Sequence, residues 1–168
     1  MKRSKKSLVL FAVFGLLILI QFVPVTRDNP PVTGEFDEHP EVLQVFKQSC
    51  YDCHSNATVW PWYSNVAPVS WIVADHVEEA RGHLNFSNWK ERSLKNQAHL
   101  REEIWDEVEE GEMPMTGYLM IHSDAELSDA DKALIHTWST APAVQPDAAD
   151  SMGVDDSASD ESPEDDED

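Results

Sequence analysis

The chain has 168 residues, enough for one ordinary domain with appendages. It carries 12 Lys and Arg against 32 Asp and Glu, a formal net charge of -20, which argues against nucleic acid as a partner because phosphate is bound by a basic surface. Its 2 cysteines are too few for a fold held together by disulfides.

Residues 1–27 are predicted to be a signal-anchor or a signal peptide. They contain five basic residues and no acid, and an uninterrupted apolar run extends from Leu8 to Ile20. A helix over residues 8–25 would be about 27 Å long, close to the hydrocarbon thickness of a bilayer. The residues before Thr26 offer no small-residue cleavage site, which favours an uncleaved anchor. The positive-inside rule then predicts a single-pass protein with its N-terminus in the cytoplasm and residues 28–168 on the periplasmic side of the cytoplasmic membrane.

Two further segments are predicted to lie outside the folded domain. Residues 28–38 contain Pro30, Pro31 and Gly34 and are expected to be a linker that holds the domain off the membrane. Residues 141–168 carry eleven acids and no Lys, Arg or aromatic residue. Such a segment cannot bury enough apolar surface to fold, so we expect a disordered acidic tail.

Residues 39–140 form the predicted domain, and their periodicity is helical with no convincing strand, so the fold class is all-α. Pro40 suits the first position of a helix. A second helix is expected from near Pro68, a third over about 97–110, and a fourth from a capping-box-like start at Ser128. Five tryptophans are expected to pack in the core: Trp60, Trp62, Trp71, Trp89 and Trp105.

Both cysteines lie in the sequence Cys50-Tyr51-Asp52-Cys53-His54, which has the C-x-x-C-H pattern of c-type haem attachment. Thiols three residues apart lie on one side of a helical turn and can both reach the vinyl groups of one porphyrin. His54 then faces the iron and offers an imidazole nitrogen as its ligand. We therefore predict one covalent haem c per chain.

The motif has three other interpretations. A redox-active C-x-x-C pair is typical of a βαβ context, which the helical pattern does not offer. A structural zinc site needs further ligands beyond Cys50 and Cys53. An incidental disulfide between the two cysteines leaves His54 without a role.

The second axial ligand of the iron is predicted to be Met113. It follows a helix end at Gly111 and precedes Pro114, and Met/His ligation raises the reduction potential of haem iron. A methionine that only fills a gap in the core is the alternative for Met113. His122 is its main rival as a ligand. The other candidates are Met115, Met120, His76, His83 and His99.

At these residues the chain resembles the class I cytochromes c and, more narrowly, the bacterial haem-binding domain family of small membrane-anchored proteins. The resemblance covers about 39–139 and implies that Cys50, Cys53 and His54 bind haem and that Met113 or Met115 is the distal ligand. It is carried by the following segments: Cys50 to Asn56, Trp60 to Ser64, Ala67 to Trp71, Leu84 to Trp89, Gly111 to Pro114 and Tyr118 to Leu127.

These features predict a monohaem c-type cytochrome, an electron carrier rather than an enzyme. With both axial positions filled, the iron has no open site for a substrate. The alternatives are a haem-based sensor or peroxidase-like module with a labile sixth ligand, and a non-catalytic accessory subunit that holds haem. The expected partners are the membrane, through the N-terminal helix, and a redox protein with a basic docking surface, since residues 28–140 hold 21 acids against 7 bases.

Overall fold

The computed structural model describes residues 5–37 and 39–142, and every regular element within them is helical, which confirms the all-α fold class. The α-helices are α1 (Lys5–Leu19), α2 (Pro40–Ser49), α3 (Tyr51–His54), α4 (Val69–His83), α5 (Leu94–Glu109), α6 (Thr116–Leu119) and α7 (Asp129–Thr140). Shorter 3₁₀ segments lie between them at Ile20–Phe22, Trp62–Asn65, Phe86–Glu91 and Ser123–Ala125.

The four helices predicted in the domain are present as α2, α4, α5 and α7. Helix α5 begins before the predicted residue 97 because the side chain of Ser93 accepts a hydrogen bond from the backbone N–H of Asn96. Helix α7 begins with a complete capping box, in which the Ser128 side chain and the Asp131 side chain each accept from the other's backbone N–H. Local capping chemistry therefore sets both helix starts.

The centre of the core is aromatic. Phe36, Phe46 and Phe86 are fully buried, with Phe46 and Phe86 stacked at 4.7 Å and Phe36 edge-on to Trp138 at 5.5 Å. Such ring pairs contribute about 0.5–1.5 kcal/mol beyond the burial of their area. Helix α7 packs against both α2 and α5. The predicted apolar stripe of α5 is buried against this core: Leu100, Ile104 and Val108.

The segment predicted as a linker, residues 28–38, packs against the domain where the structure describes it. Phe36 is a central core residue, and its backbone N–H donates to the carbonyl oxygen of Phe86. The N–H groups of Thr33 and Gly34 both donate to the carbonyl oxygen of Ser87. The folded unit thus begins before residue 39. One aromatic residue in a proline-rich stretch creates no periodicity, which is why the sequence pattern missed it.

The prediction that the tryptophans pack in the core is right for Trp89 and wrong for two others. Trp89 is fully buried, whereas Trp62 is 78% exposed and Trp71 is 36% exposed. Composition alone placed these rings inside, because large apolar side chains are usually buried. Trp62 lies in a 3₁₀ segment and Trp71 in the first turn of α4.

One helix, from Lys5 to Phe22, is long and apolar enough to cross a membrane by length and composition. None of the residues of α1 is buried against the rest of the chain. That residues 1–27 are an uncleaved signal-anchor rather than a cleaved signal peptide stays a prediction. Of the predicted acidic tail at 141–168, all but Ala141 and Pro142 lies outside the described residues.

Candidate functional site

A cavity of about 530 Å³ lies between the Cys50–His54 turn and the segment that follows α5. Cavities of this size hold cofactors and drug-sized ligands. The structure brings the predicted attachment residues and the predicted second-ligand candidates to this one cavity. Its lining includes, from the motif turn, Cys50, Cys53 and His54 and, from the segment after α5, Met113 and Met115. The apolar part of its wall comes mainly from α5 and the loops around it: Leu84, Phe86, Leu100, Ile104, Val108 and Leu127.

The motif forms one helical turn directly after α2. The carbonyl oxygen of Cys50 accepts from the N–H of Cys53 at 3.2 Å and from the N–H of His54 at 2.9 Å. The N–H of Cys50 in turn donates to the carbonyl oxygen of Phe46, which ties the turn to the preceding helix. These bonds hold both thiols and the imidazole on the cavity side of a single turn.

His54 is oriented by a backbone carbonyl. Its Nδ1 lies 3.2 Å from the carbonyl oxygen of Leu84. Because a carbonyl oxygen can only accept, this bond assigns the ring proton to Nδ1 and leaves the lone pair on Nε2. Burial lowers the pKa of His54, so the ring is neutral at pH 7. A neutral imidazole with a free Nε2 is the form that coordinates a metal ion.

The two cysteines are free of any disulfide. Burial is the main cause that raises the pKa of Cys50 to about 12 and the pKa of Cys53 to about 11. Redox-active C-x-x-C pairs show the opposite behaviour, a lowered thiol pKa that exposes a thiolate nucleophile. The surroundings of these cysteines therefore disfavour the redox interpretation of the motif.

The opposite side of the cavity is built by the end of α5. Gly111 has a φ of +77°, the left-handed conformation that glycine adopts without strain. The chain then folds back, and the N–H groups of Glu112 and Met113 both donate to the carbonyl oxygen of Glu107. This reversal carries Met113 and Met115, both half-buried, to the cavity wall. The choice between the two methionines stays open.

The histidine alternatives differ in whether they line the cavity and in how exposed they are. His122, the main rival, is not among the lining residues; its Nε2 lies 2.7 Å from the hydroxyl of Tyr63, and its ring stacks on Tyr118 at 4.3 Å. His76 and His83 line the cavity and are exposed. The ring of His99 is 64% exposed and pairs with Glu103 on the surface.

Two residues that the sequence analysis did not assign connect the motif turn to the opposite side of the cavity. The Asp52 carboxylate, inside the motif, accepts from the Tyr118 hydroxyl at 2.8 Å and from the N–H of Val59 at 3.2 Å. Burial, with this hydrogen bond, raises the pKa of Tyr118, so its hydroxyl stays a donor. Asp52 and Tyr118 lie 66 positions apart, and nothing in a local pattern pairs them.

Arg81 binds the loop after the motif to the segment before the domain. Its guanidinium donates to the carbonyl oxygen of Ser55 and the hydroxyl of Thr58, both at 2.8 Å, and to Asn29 Oδ1 at 2.9 Å. A planar group with five donors suits such convergence on several acceptors. Arg81 thus fixes the exit of the motif turn.

The residues at this cavity fit a haem group. They supply two thiols for covalent attachment, a neutral imidazole, thioether sulfurs on the other side and an apolar wall. A helical domain with this set of donors belongs to the class of haem-binding proteins. A family model described as "Haem-binding domain" matches residues 15–141, and the chain therefore belongs to the haem-binding domain family. Neither the comparison with curated proteins nor that with solved structures found a match.

Proposed function

We propose that this haem-binding protein is a monohaem c-type cytochrome with a class I cytochrome c-like fold that transfers single electrons at the outer face of the cytoplasmic membrane. The observation that carries the proposal is the cavity itself, which is lined by Cys50, Cys53 and His54 together with Met113 and Met115. Both attachment thiols and both kinds of axial ligand are thus available to one group.

Covalent attachment is the task of the two thiols. Each thiol would add its S–H across one vinyl group, with the sulfur bonding one vinyl carbon and the hydrogen going to the other, so that nothing would be oxidised or released. Cys50 and Cys53 lie in one helical turn, which suits two vinyl groups of the same porphyrin. The chain has no other cysteine, so a single attachment site follows.

Axial ligation is assigned to His54 and Met113. His54 offers Nε2, while its Nδ1–H is held by the carbonyl oxygen of Leu84, an arrangement that fixes the ring and increases its basicity as a ligand. Met113 offers a thioether from the other side, with Met115 as the alternative. Bound haem supplies an iron that alternates between the ferrous and ferric states. With His54 and Met113 both holding the iron, no open position would be left for a substrate, and the chemistry supplied would be electron transfer.

Acidic side chains at the cavity support a basic partner. Glu79, Glu103, Asp106 and Glu107 line it, and all four are exposed. A negative field at the opening of the site attracts positively charged surfaces and speeds brief encounters. We propose that a redox protein with a basic docking surface approaches at this opening.

Membrane attachment is assigned to the helix from Lys5 to Phe22, whose length and composition suit a bilayer span. Lys5 and Lys6 lie at its start, and the positive-inside rule then places the haem domain on the periplasmic side. Haem c proteins are matured outside the cytoplasm, which is consistent with this topology.

The test is haem retention on a denaturing gel after co-expression with haem-maturation machinery. We expect haem staining to stay with the full-length chain and to vanish in the double variant Cys50→Ala, Cys53→Ala. The single variant Cys50→Ala is the matched control, since one remaining thioether still holds haem covalently. Covalent haem in the double variant would refute the proposal.

Carbon monoxide separates this proposal from its alternative, a sensor or peroxidase-like module. A stable methionine–iron bond gives a weak absorbance band at the red end of the ferric spectrum and slows the binding of carbon monoxide to the ferrous protein. We expect the band and slow binding. Rapid binding without the band would favour the sensor.

A further inference from the structure

The segment from Ser55 to Ala74 differs in composition from the rest of the chain. It spans twenty residues without Asp, Glu, Lys, Arg or His, whereas 26% of the whole chain is charged. It follows the haem motif directly and includes the 3₁₀ segment Trp62–Asn65 and the first part of α4, which pack against each other. An uncharged stretch of this length in so acidic a protein needs an explanation beyond core packing.

Core packing does not explain it, because most of its large apolar side chains are exposed. Trp62 is 78% exposed and Ile72 is 54% exposed. Val69 and Ile72 lie three positions apart at the start of α4 and therefore on one side of that helix, and Val66 lies just before it. We call the exposed apolar side chains of this segment the apolar patch: Val59, Trp62, Val66, Val69, Trp71 and Ile72.

The segment that carries the apolar patch is hydrogen-bonded to the end of the membrane-spanning helix and to the residues that follow it. The Gln21 side chain, in the last turn of that helix, donates to the carbonyl oxygen of Ala67 and accepts from its N–H, both at 3.0 Å. Arg27 donates to the carbonyl oxygen of Ser64 at 2.7 Å. Ala67 and Ser64 lie within the patch segment. The patch is therefore held beside the place where the chain leaves the apolar helix.

We propose that the apolar patch lies in the lipid headgroup region of the bilayer and fixes the haem domain against the membrane surface. The proposal rests on the membrane anchor of the proposed function. Tryptophan is enriched at membrane interfaces, where an amphipathic ring has one apolar and one wet side. Exposed apolar patches on soluble domains mark interaction sites, and here the nearest apolar phase is the bilayer that holds the helix.

Charge supports the lipid surface as the occupant. The domain is strongly acidic, and an acidic surface is repelled by anionic headgroups, so an uncharged face is the one that can approach a bilayer closely. Arg27, a basic side chain shortly after the end of the apolar helix, also bonds to the patch segment and suits lipid phosphate. Docked in this way, the haem domain keeps one orientation to the membrane.

Photo-crosslinking of the full-length, haem-loaded chain in vesicles of phosphatidylcholine and phosphatidylglycerol tests the proposal. p-Benzoylphenylalanine replaces one residue at a time, and lipid adducts are detected by mass spectrometry of the resulting peptides. Trp62 and Ile72 are the test positions, and Phe14 reports on the anchor. Leu94, an exposed apolar residue at the start of α5, is the matched control. All four side chains are exposed, so the replacements leave the core intact.

We expect lipid adducts from positions 14, 62 and 72 and only background from position 94. Adducts from position 14 without adducts from 62 and 72 would overturn the docking while leaving the anchor in place. A lack of adducts at position 14 would instead refute the anchor and, with it, this proposal. Adducts from 62 and 72 to another protein, or to a second copy of the chain, would assign the patch to a protein partner and overturn the lipid assignment.

Discussion

The two walls of the cavity differ in how closely the sequence determines the positions of their side chains. The proximal wall is the Cys50–His54 turn, where one helical turn carries two thiols and an imidazole that line the cavity, and the Leu84 carbonyl orients the imidazole. The distal wall is the segment 111–118, where two methionines line the same cavity. A contiguous motif dictates its own geometry, whereas a loop with two similar thioethers leaves the choice of ligand to tertiary packing. Sequence therefore defines the first wall more sharply than the second.

Among changes at the distal wall, we expect the replacement of Met113 to alter the haem spectrum and the reduction potential most. We expect Met113→Ala to abolish the weak methionine–iron band and to lower the reduction potential on the order of 100 mV, part of the ~0.8 V range that axial ligands span. The physical reason is that a thioether favours ferrous iron more than the water or hard ligand that would replace it. Potentiometric titration and the ferric spectrum measure the two effects.

Met115→Ala is the matched control for this change, because Met115 lines the same cavity and is the same residue type. We expect it to leave the band and the potential nearly unchanged. The reverse pattern would transfer the ligand role to Met115. If neither variant altered the spectrum, His122 would become the candidate, although its Nε2 would first have to leave the Tyr63 hydroxyl.

The hydrogen bond between the two walls, from Tyr118 to Asp52, should affect stability rather than the haem spectrum. Tyr118→Phe removes the hydrogen bond to the Asp52 carboxylate, and we expect the free energy of unfolding of the haem-loaded chain to fall by about 1.5–3 kcal/mol, as for a hydrogen bond to a charged group. Denaturant unfolding measures it. Tyr63→Phe is the control, since it removes a hydroxyl bonded to His122 rather than to the motif. Equal losses in both variants would show that the Tyr118–Asp52 bond does not specifically join the two walls.

The parts of the fold that were predictable from sequence depend on local patterns. The apolar stripe Leu100, Ile104 and Val108 follows helical periodicity, and the Ser128–Asp131 box needs only a four-residue motif. Phe36 was missed because a single aromatic residue has no periodicity, and its place in the core depends on the distant Phe46 and Phe86.

The site shows the same division. The Cys50–His54 motif is readable within five residues, but the groups that orient it are not. The partner of His54 is a backbone carbonyl, which any residue at position 84 would supply. The partner of Asp52 is Tyr118, which reaches it only through the tertiary fold. The exposure of Trp62 was also unpredictable from composition, because the same ring suits a core or an interface.

The smallest expected effect is on the rate of electron transfer and depends on charge alone. It distinguishes the acidic residues at the cavity opening from those of the C-terminal tail. We expect the second-order rate of electron transfer to a basic redox protein to fall as salt rises to about 0.5 M, where the Debye length is about 4 Å. Deleting residues 143–168 removes all eleven tail acids but keeps Ala141, whose carbonyl oxygen accepts from Arg101 at 3.0 Å. The truncated chain should therefore keep its haem spectrum and show a shallower salt dependence, and the remaining slope reports the acids at the cavity. Stopped-flow rates with a basic and an acidic redox protein measure both slopes. Flat profiles with both would mean that neither acidic region steers the partner.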